Sequence, residues 1–97
     1  MKKYKEIKYI ISEHKKELKE KFKVNEIGVF GSYVKGKEAM ESDVDILVEF
    51  TENIGLLEFI GLEYYLSDLI GVKVDLVMKT ALRPRIGKRI LKEVVYV

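Results

Sequence analysis

Two aspartates, Asp43 and Asp45, stand one residue apart at the head of the apolar run VDILVEF. In an extended strand such a pair leaves the same face, with Cα atoms about 6.6 Å apart. A third acid, Asp75, interrupts the otherwise apolar stretch VKVDLVM. If the two strands are neighbours, about 4.8 Å separates them and three carboxylates converge. Two unit charges about 6 Å apart repel by about 3 kcal/mol at an effective dielectric of 20, so the cluster needs an offset. A divalent cation is the simplest one. Oxygen-only ligands on a rigid sheet suit Mg²⁺ or Mn²⁺, which pair carboxylates with substrate phosphates. Two such ions about 3.5–4 Å apart can clamp the attacking and leaving oxygens of a phosphoryl or nucleotidyl transfer.

Gly31-Ser32 supplies the complementary half. A strand ending at Phe30, followed by Gly-Ser and a helical turn through Tyr33 to Lys35, offers backbone N–H groups and a positive dipole end to a phosphate. Gly31 admits close approach, Ser32 adds a hydroxyl donor, and Gly36 lets the chain turn away. Singly, these features are ordinary. Gly-Ser is an everyday turn, Ser42-Asp43 a common cap, and Asp75 a natural partner for Lys73 or an Arg on a neighbouring element. Together, two acids on one strand face, a third in an apolar strand and a Gly-Ser turn ahead of them favour chemistry over scaffolding.

The elements that must position these residues alternate along the chain. Apolar spacing at Tyr4, Ile7, Ile11, Leu18 and Phe22, with His14 on the same stripe, predicts an amphipathic helix over residues 2–22. Glu17 and Lys21 form a favourable pair on it. Val24–Phe30 and Val44–Phe50 read as strands, the second covered on both faces. Asn53 is the expected cap of a helix over 54–70 and Gly71 its stop. Val72–Met78 makes a third strand, Thr80 or its neighbours open a last helix with Pro84 in its first turn, and VVYV adds a short final strand or packs. The prediction is a single α/β (α+β) domain over residues 1–97, a small sheet with helices against it.

Composition removes several alternatives. With 97 residues there is no room for a second core, and with no cysteine there is no disulfide, thiolate zinc site or cysteine nucleophile. The charged N-terminus has no apolar h-region, and no uncharged run approaches the length of a membrane span, so a cytoplasmic protein without membrane contact is expected. A net charge of +2 is too balanced to supply a general nucleic-acid footprint. A domain this small would gain from partner binding or from homo- or hetero-oligomerisation.

At this point the motifs resemble a known family. Gly31-Ser32, ten intervening residues and Asp43-Val44-Asp45 look like the GSX10DXD signature of the DNA polymerase beta-type nucleotidyltransferase superfamily. The single-domain form is similar to the minimal nucleotidyltransferases, the MntA-like antitoxins, and SDVDILVEF, VDLVMKTALRPRI and VVYV extend the likeness over most of the chain. The resemblance implies Mg²⁺-dependent transfer of AMP from ATP, with Asp43 and Asp45 as metal ligands and Asp75 completing the site and helping to activate the incoming hydroxyl. Gly31, Ser32 and Lys35 would bind the nucleotide. It further implies an antitoxin of the type VII kind, acting on a tyrosine of a partner HEPN-type RNase toxin. One departure stands out: the family commonly has Ala-Arg-Gly where this chain has Val34-Lys35-Gly36. Lys keeps the charge but loses the bidentate fork. The competing readings are an antitoxin that neutralises by masking alone and a small-molecule nucleotidyltransferase. The second lacks the extra domain that aminoglycoside enzymes use to hold their substrate. With no arm or thumb to hold a polynucleotide, nucleic acid is not the expected substrate.

Weaker features have plainer readings. His14 is expected to be a boundary residue, and Tyr64 and Tyr65 to pack. The last helix carries Arg85, Lys88, Arg89 and Lys92 opposite Ile86, Ile90 and Val94. That basic face is ordinarily solvated, with Arg83 and Arg85 the better placed for phosphate.

Overall fold

The computed structural model describes residues 3–36 and 43–97, so Lys2 and Ser42 lie outside it. The order is α1 (Tyr4–Glu13), α2 (Lys15–Phe22), β1 (Val24–Phe30), β2 (Val44–Phe50), α3 (Leu56–Ile70), β3 (Val74–Met78), α4 (Pro84–Glu93) and β4 (Val95–Tyr96). Short 3₁₀ turns occupy Gly31–Tyr33 and Lys79–Ala81. The sheet runs β3-β2-β1-β4, with β2 parallel to β3 and antiparallel to β1, and β4 antiparallel to β1.

Alternation along β2 divides the sheet into two faces. Val44, Ile46 and Val48 join Ile27, Val29, Val74 and Leu76 in the core, under Ile7 and Ile11 of α1, Leu18 of α2 and Leu62, Leu66 and Ile70 of α3. The other face carries Asp45, Leu47 and Glu49. Leu47 is buried there, so β2 is covered on both sides, as its apolar run predicts. Cover on this side includes the C-terminal segment. A Cβ on Gly28 would stand 2.7 Å from Val94 Cγ2 and 3.0 Å from the Val95 carbonyl oxygen, so the absent side chain lets β4 close on β1.

Several expectations are corrected. The single helix expected over residues 2–22 is two, broken at His14. The half-buried imidazole donates from Nδ1 to the Ile10 carbonyl at 2.8 Å, a local bond that competes with regular helix. Asn53 is not the cap of α3. Gly55 is, and the helix begins at Leu56, while Gly71 ends it in the left-handed region as expected. The third strand starts at Val74 rather than Val72. The last helix starts at Pro84, after the 3₁₀ turn has used Thr80. Its buried side runs through Gly87 toward Ile90 and Val94, leaving Ile86 exposed. Tyr65 packs its ring on Phe22 at 4.8 Å between centroids, but Tyr64 faces outward.

Candidate active site

The parallel pairing of β2 with β3 sets Asp45 directly opposite Asp75, and the antiparallel pairing with β1 sets Asp45 opposite Phe30, the residue before Gly31. Asp43, just ahead of β2, lies near enough to repel the Asp45 carboxylate. The strand neighbourhood expected for the three acids is therefore present. Asp75 is exposed, however, because β3 is an edge strand with only one side in the core.

Gly31 closes the arrangement. Its φ of 77° lies in the left-handed region, and a Cβ there would overlap Asp45 Oδ2. The dihedral favours glycine, and the Asp45 carboxylate occupies the space that a side chain would take. The 3₁₀ turn places Ser32 directly after Gly31, half-buried, and its hydroxyl has no hydrogen bond among the described residues. Lys35 N–H donates to the Gly31 carbonyl at 3.2 Å and folds the turn back on itself.

Burial pushes the Asp45 carboxyl up to about 6, with repulsion from Asp75 and then Asp43 adding to it. A comparison within the same sheet face shows what is missing. Glu26 and Glu49 also face each other across β1 and β2, and there Lys79 answers both, at 3.2 Å and 4.0 Å, over the ring of Tyr96. Among the described residues no lysine or arginine pairs with Asp45 or Asp75. Asp43 has only Lys73, at 4.0 Å and largely exposed, a contact of little strength.

As they stand, no three acidic or histidine side chains among the described residues close on a common point. Asp43 lies 4.0 Å from Lys73, and the Asp45 carboxylate lies against Gly31. The donor set nevertheless suits a hard divalent cation, being all carboxylate oxygen, one-sided and deficient in positive charge.

Lys35 is paired across the chain. Its Nζ donates to Glu93 Oε1 at 2.9 Å, and Arg89 Nε approaches the same oxygen at 3.5 Å. The Lys35 hydrogen bond holds the Glu93 carboxyl below its usual range. Glu93 thus ties the Gly-Ser turn to the end of α4. Nothing in the sequence marks this pairing, because its partners lie far apart in the chain. Arg83 and Arg85 flank the start of α4, exposed and without an ion-pair partner among the described residues.

A nucleotidyltransferase domain matches residues 11–97. The chain belongs to that family. It is 60% identical over 92 residues to the protein adenylyltransferase MntA of Thermococcus cleftensis, spanning 95% of this chain and 93% of that protein. A candidate minimal nucleotidyltransferase of known structure superposes with a TM-score of 0.73 at 31% identity, covering 92% of this chain and 86% of the other. The structure of a tri-AMPylated Shewanella oneidensis HEPN toxin with its MNT antitoxin shares the fold, with a TM-score of 0.65 at 20% identity over 94% of this chain and 67% of the other. The family membership and the single-domain α+β fold agree with the resemblance read from GSX10DXD.

Proposed function

We propose that this chain is a protein adenylyltransferase that moves AMP from ATP to a tyrosine of a partner HEPN-type RNase toxin and so acts as its antitoxin in the cytoplasm. The observation that carries the reading is the uncompensated pair Asp45–Asp75, facing each other under Gly31 while the equivalent pair Glu26–Glu49 has Lys79. Asp43, Asp45 and Asp75 would hold Mg²⁺, which supplies charge neutralisation for the triphosphate and for the transition state. The Gly31 and Ser32 backbone and the Ser32 hydroxyl orient the triphosphate above Asp45. The incoming phenolic oxygen forms a bond to the α-phosphorus as the bond to the β-phosphate oxygen breaks, releasing pyrophosphate. Asp75, exposed on the edge strand, is open to an acceptor and would take the phenolic proton. Supporting this reading are the identity to MntA over nearly all of both chains and the fold shared with an antitoxin bound to an AMPylated toxin.

The test is incubation with ATP, Mg²⁺ and the product of the adjacent open reading frame, followed by mass spectrometry of that product. AMP on a tyrosine, lost in the Asp43→Asn/Asp45→Asn variant, is the expected result. Undiminished transfer by the variant, or none by the wild-type chain with a folded partner, would overturn it. Protection of cells from the toxin by that same variant would favour masking instead.

A further inference from the structure

The outer face of α3 carries a feature that the core does not explain. Leu57 and Tyr64 are 83% and 73% exposed, and Ile60 lies between them. With Gly61 they form one stripe along the helix, at the spacing of successive turns. Leu56, itself 73% exposed, continues the stripe into an apolar groove of about 500 Å³ against β3, lined also by Ile54, Phe59, Leu76, Met78 and Ala81.

Gly61 is the informative residue. Glycine inside a helix costs stability relative to alanine, and a close neighbour usually explains it. A Cβ at Gly61 would meet nothing within 4 Å. The chain's own fold does not require glycine there, whereas a second helix laid against the stripe would approach most closely at that point.

Charge specifies the visitor. Between Leu56 and Ile70 there are three acids, Glu58, Glu63 and Asp68, and no lysine or arginine. Glu63 is engaged by the Leu76 N–H and Glu58 has a contact to Lys23 at 3.9 Å, while Asp68, in a hollow it shares with Tyr64 and Lys73, has no ion pair among the described residues. The complementary surface is apolar with a basic rim. A ribonuclease that holds RNA presents basic surface of that kind. Continuity with the chemistry points the same way: Val77, two residues after Asp75 and on the same face of the edge strand, also lines the groove.

We propose that the outer face of α3 and the adjoining groove dock a basic-flanked apolar helix of the RNase partner, a proposal that rests on the functional reading above. The interface holds the acceptor beside β3, where its tyrosine can reach the carboxylates.

Binding of the purified partner toxin is measured by calorimetry, beside AMP transfer and Mg²⁺–ATP binding. Leu57→Lys/Tyr64→Lys should lower toxin affinity by about 100-fold or more, as loss of two central anchors does, and leave Mg²⁺–ATP binding unchanged. Gly61→Gln should raise the melting temperature of the free chain yet weaken toxin binding, a combination that a purely structural role would not produce. Wild-type toxin affinity in both variants would overturn the proposal. So would a wild-type homodimer that the Lys variant dissolves, since a second copy would then be the occupant. Failure of the functional reading looks different: toxin bound through α3 without AMP transfer leaves the docking face standing.

Discussion

Lys35 Nζ stands 2.9 Å from Glu93 Oε1, joining the turn after β1 to the last residue of α4. The pairing offers Lys35, the cation expected to grip phosphate, a second role in the frame around Gly31 and Ser32, and the two roles can be told apart. Lys35→Met and Glu93→Gln should each slow AMP transfer by about tenfold through misplacement of the turn. The swapped pair Lys35→Glu/Glu93→Lys should recover part of that loss. If Lys35 bound phosphate directly, the swap would be worse than either single change. Steady-state kinetics on the three variants separate the two outcomes.

Gly31 has two reasons to be glycine, and they can be separated. Gly31→Ala must place a side chain at φ 77° and against Asp45 Oδ2. The left-handed conformation costs about 1–2 kcal/mol, and overpacking adds about 1–3 kcal/mol. Gly31→Ala/Asp45→Ala removes the overlap and keeps the dihedral penalty. Denaturant titration should therefore show a double variant more stable than the sum of the singles predicts, and additivity would mean that the carboxylate yields freely.

Asp45 gives a pH-dependent signature. Its pKa in the folded chain is raised from 3.8 to about 6, chiefly by burial and then by Asp75 and Asp43. The folded state therefore binds this proton more tightly than the unfolded chain. Its stabilising contribution is full below about pH 4 and is lost as the pH rises through about 6. Asp45→Asn never acquires the charge. In EDTA its melting temperature should exceed that of the wild-type chain by a few degrees above pH 6, with the gap closing in acid. Adding Mg²⁺ should stabilise the wild-type chain and leave Asp45→Asn nearly unmoved. An equal Mg²⁺ response in both would remove Asp45 from the metal site.

How much of this was legible in the sequence follows from the range of each interaction. The strands Val24–Phe30 and Val44–Phe50 and the Gly71 stop depend on neighbours in the chain, and their boundaries were readable. The shared face expected of Asp43 and Asp45 follows from a period of two, but the position of Asp75 opposite Asp45 needed the parallel pairing, which no local pattern encodes. His14 reads as one more position on an apolar stripe, and only its bond to Ile10 shows why the helix breaks there. Lys35–Glu93 and Lys79–Glu26 join residues more than fifty apart, so their partners could not be read from spacing. Tyr64 and Tyr65 are indistinguishable by type, and the packing of Phe22 decides which one turns inward.

The exposed edge of β3 is protected by side chains from α3, which gives a last prediction. Val74 N–H donates to Ser67 Oγ at 2.9 Å and Leu76 N–H to Glu63 Oε2 at 3.0 Å. Ser67 in turn donates to the Glu63 carbonyl at 2.8 Å, which fixes its oxygen for the strand. These two donors point away from β2 and would otherwise be open to pairing with another chain. Ser67→Ala and Glu63→Ala should each cost about 1 kcal/mol in urea titration. The double variant should also aggregate at concentrations where the wild-type chain stays dispersed, as followed by light scattering. Glu63→Gln keeps an acceptor oxygen and should behave close to wild type. If it destabilised the chain as much as Glu63→Ala, the charge of Glu63 rather than its hydrogen bond would be what the edge requires.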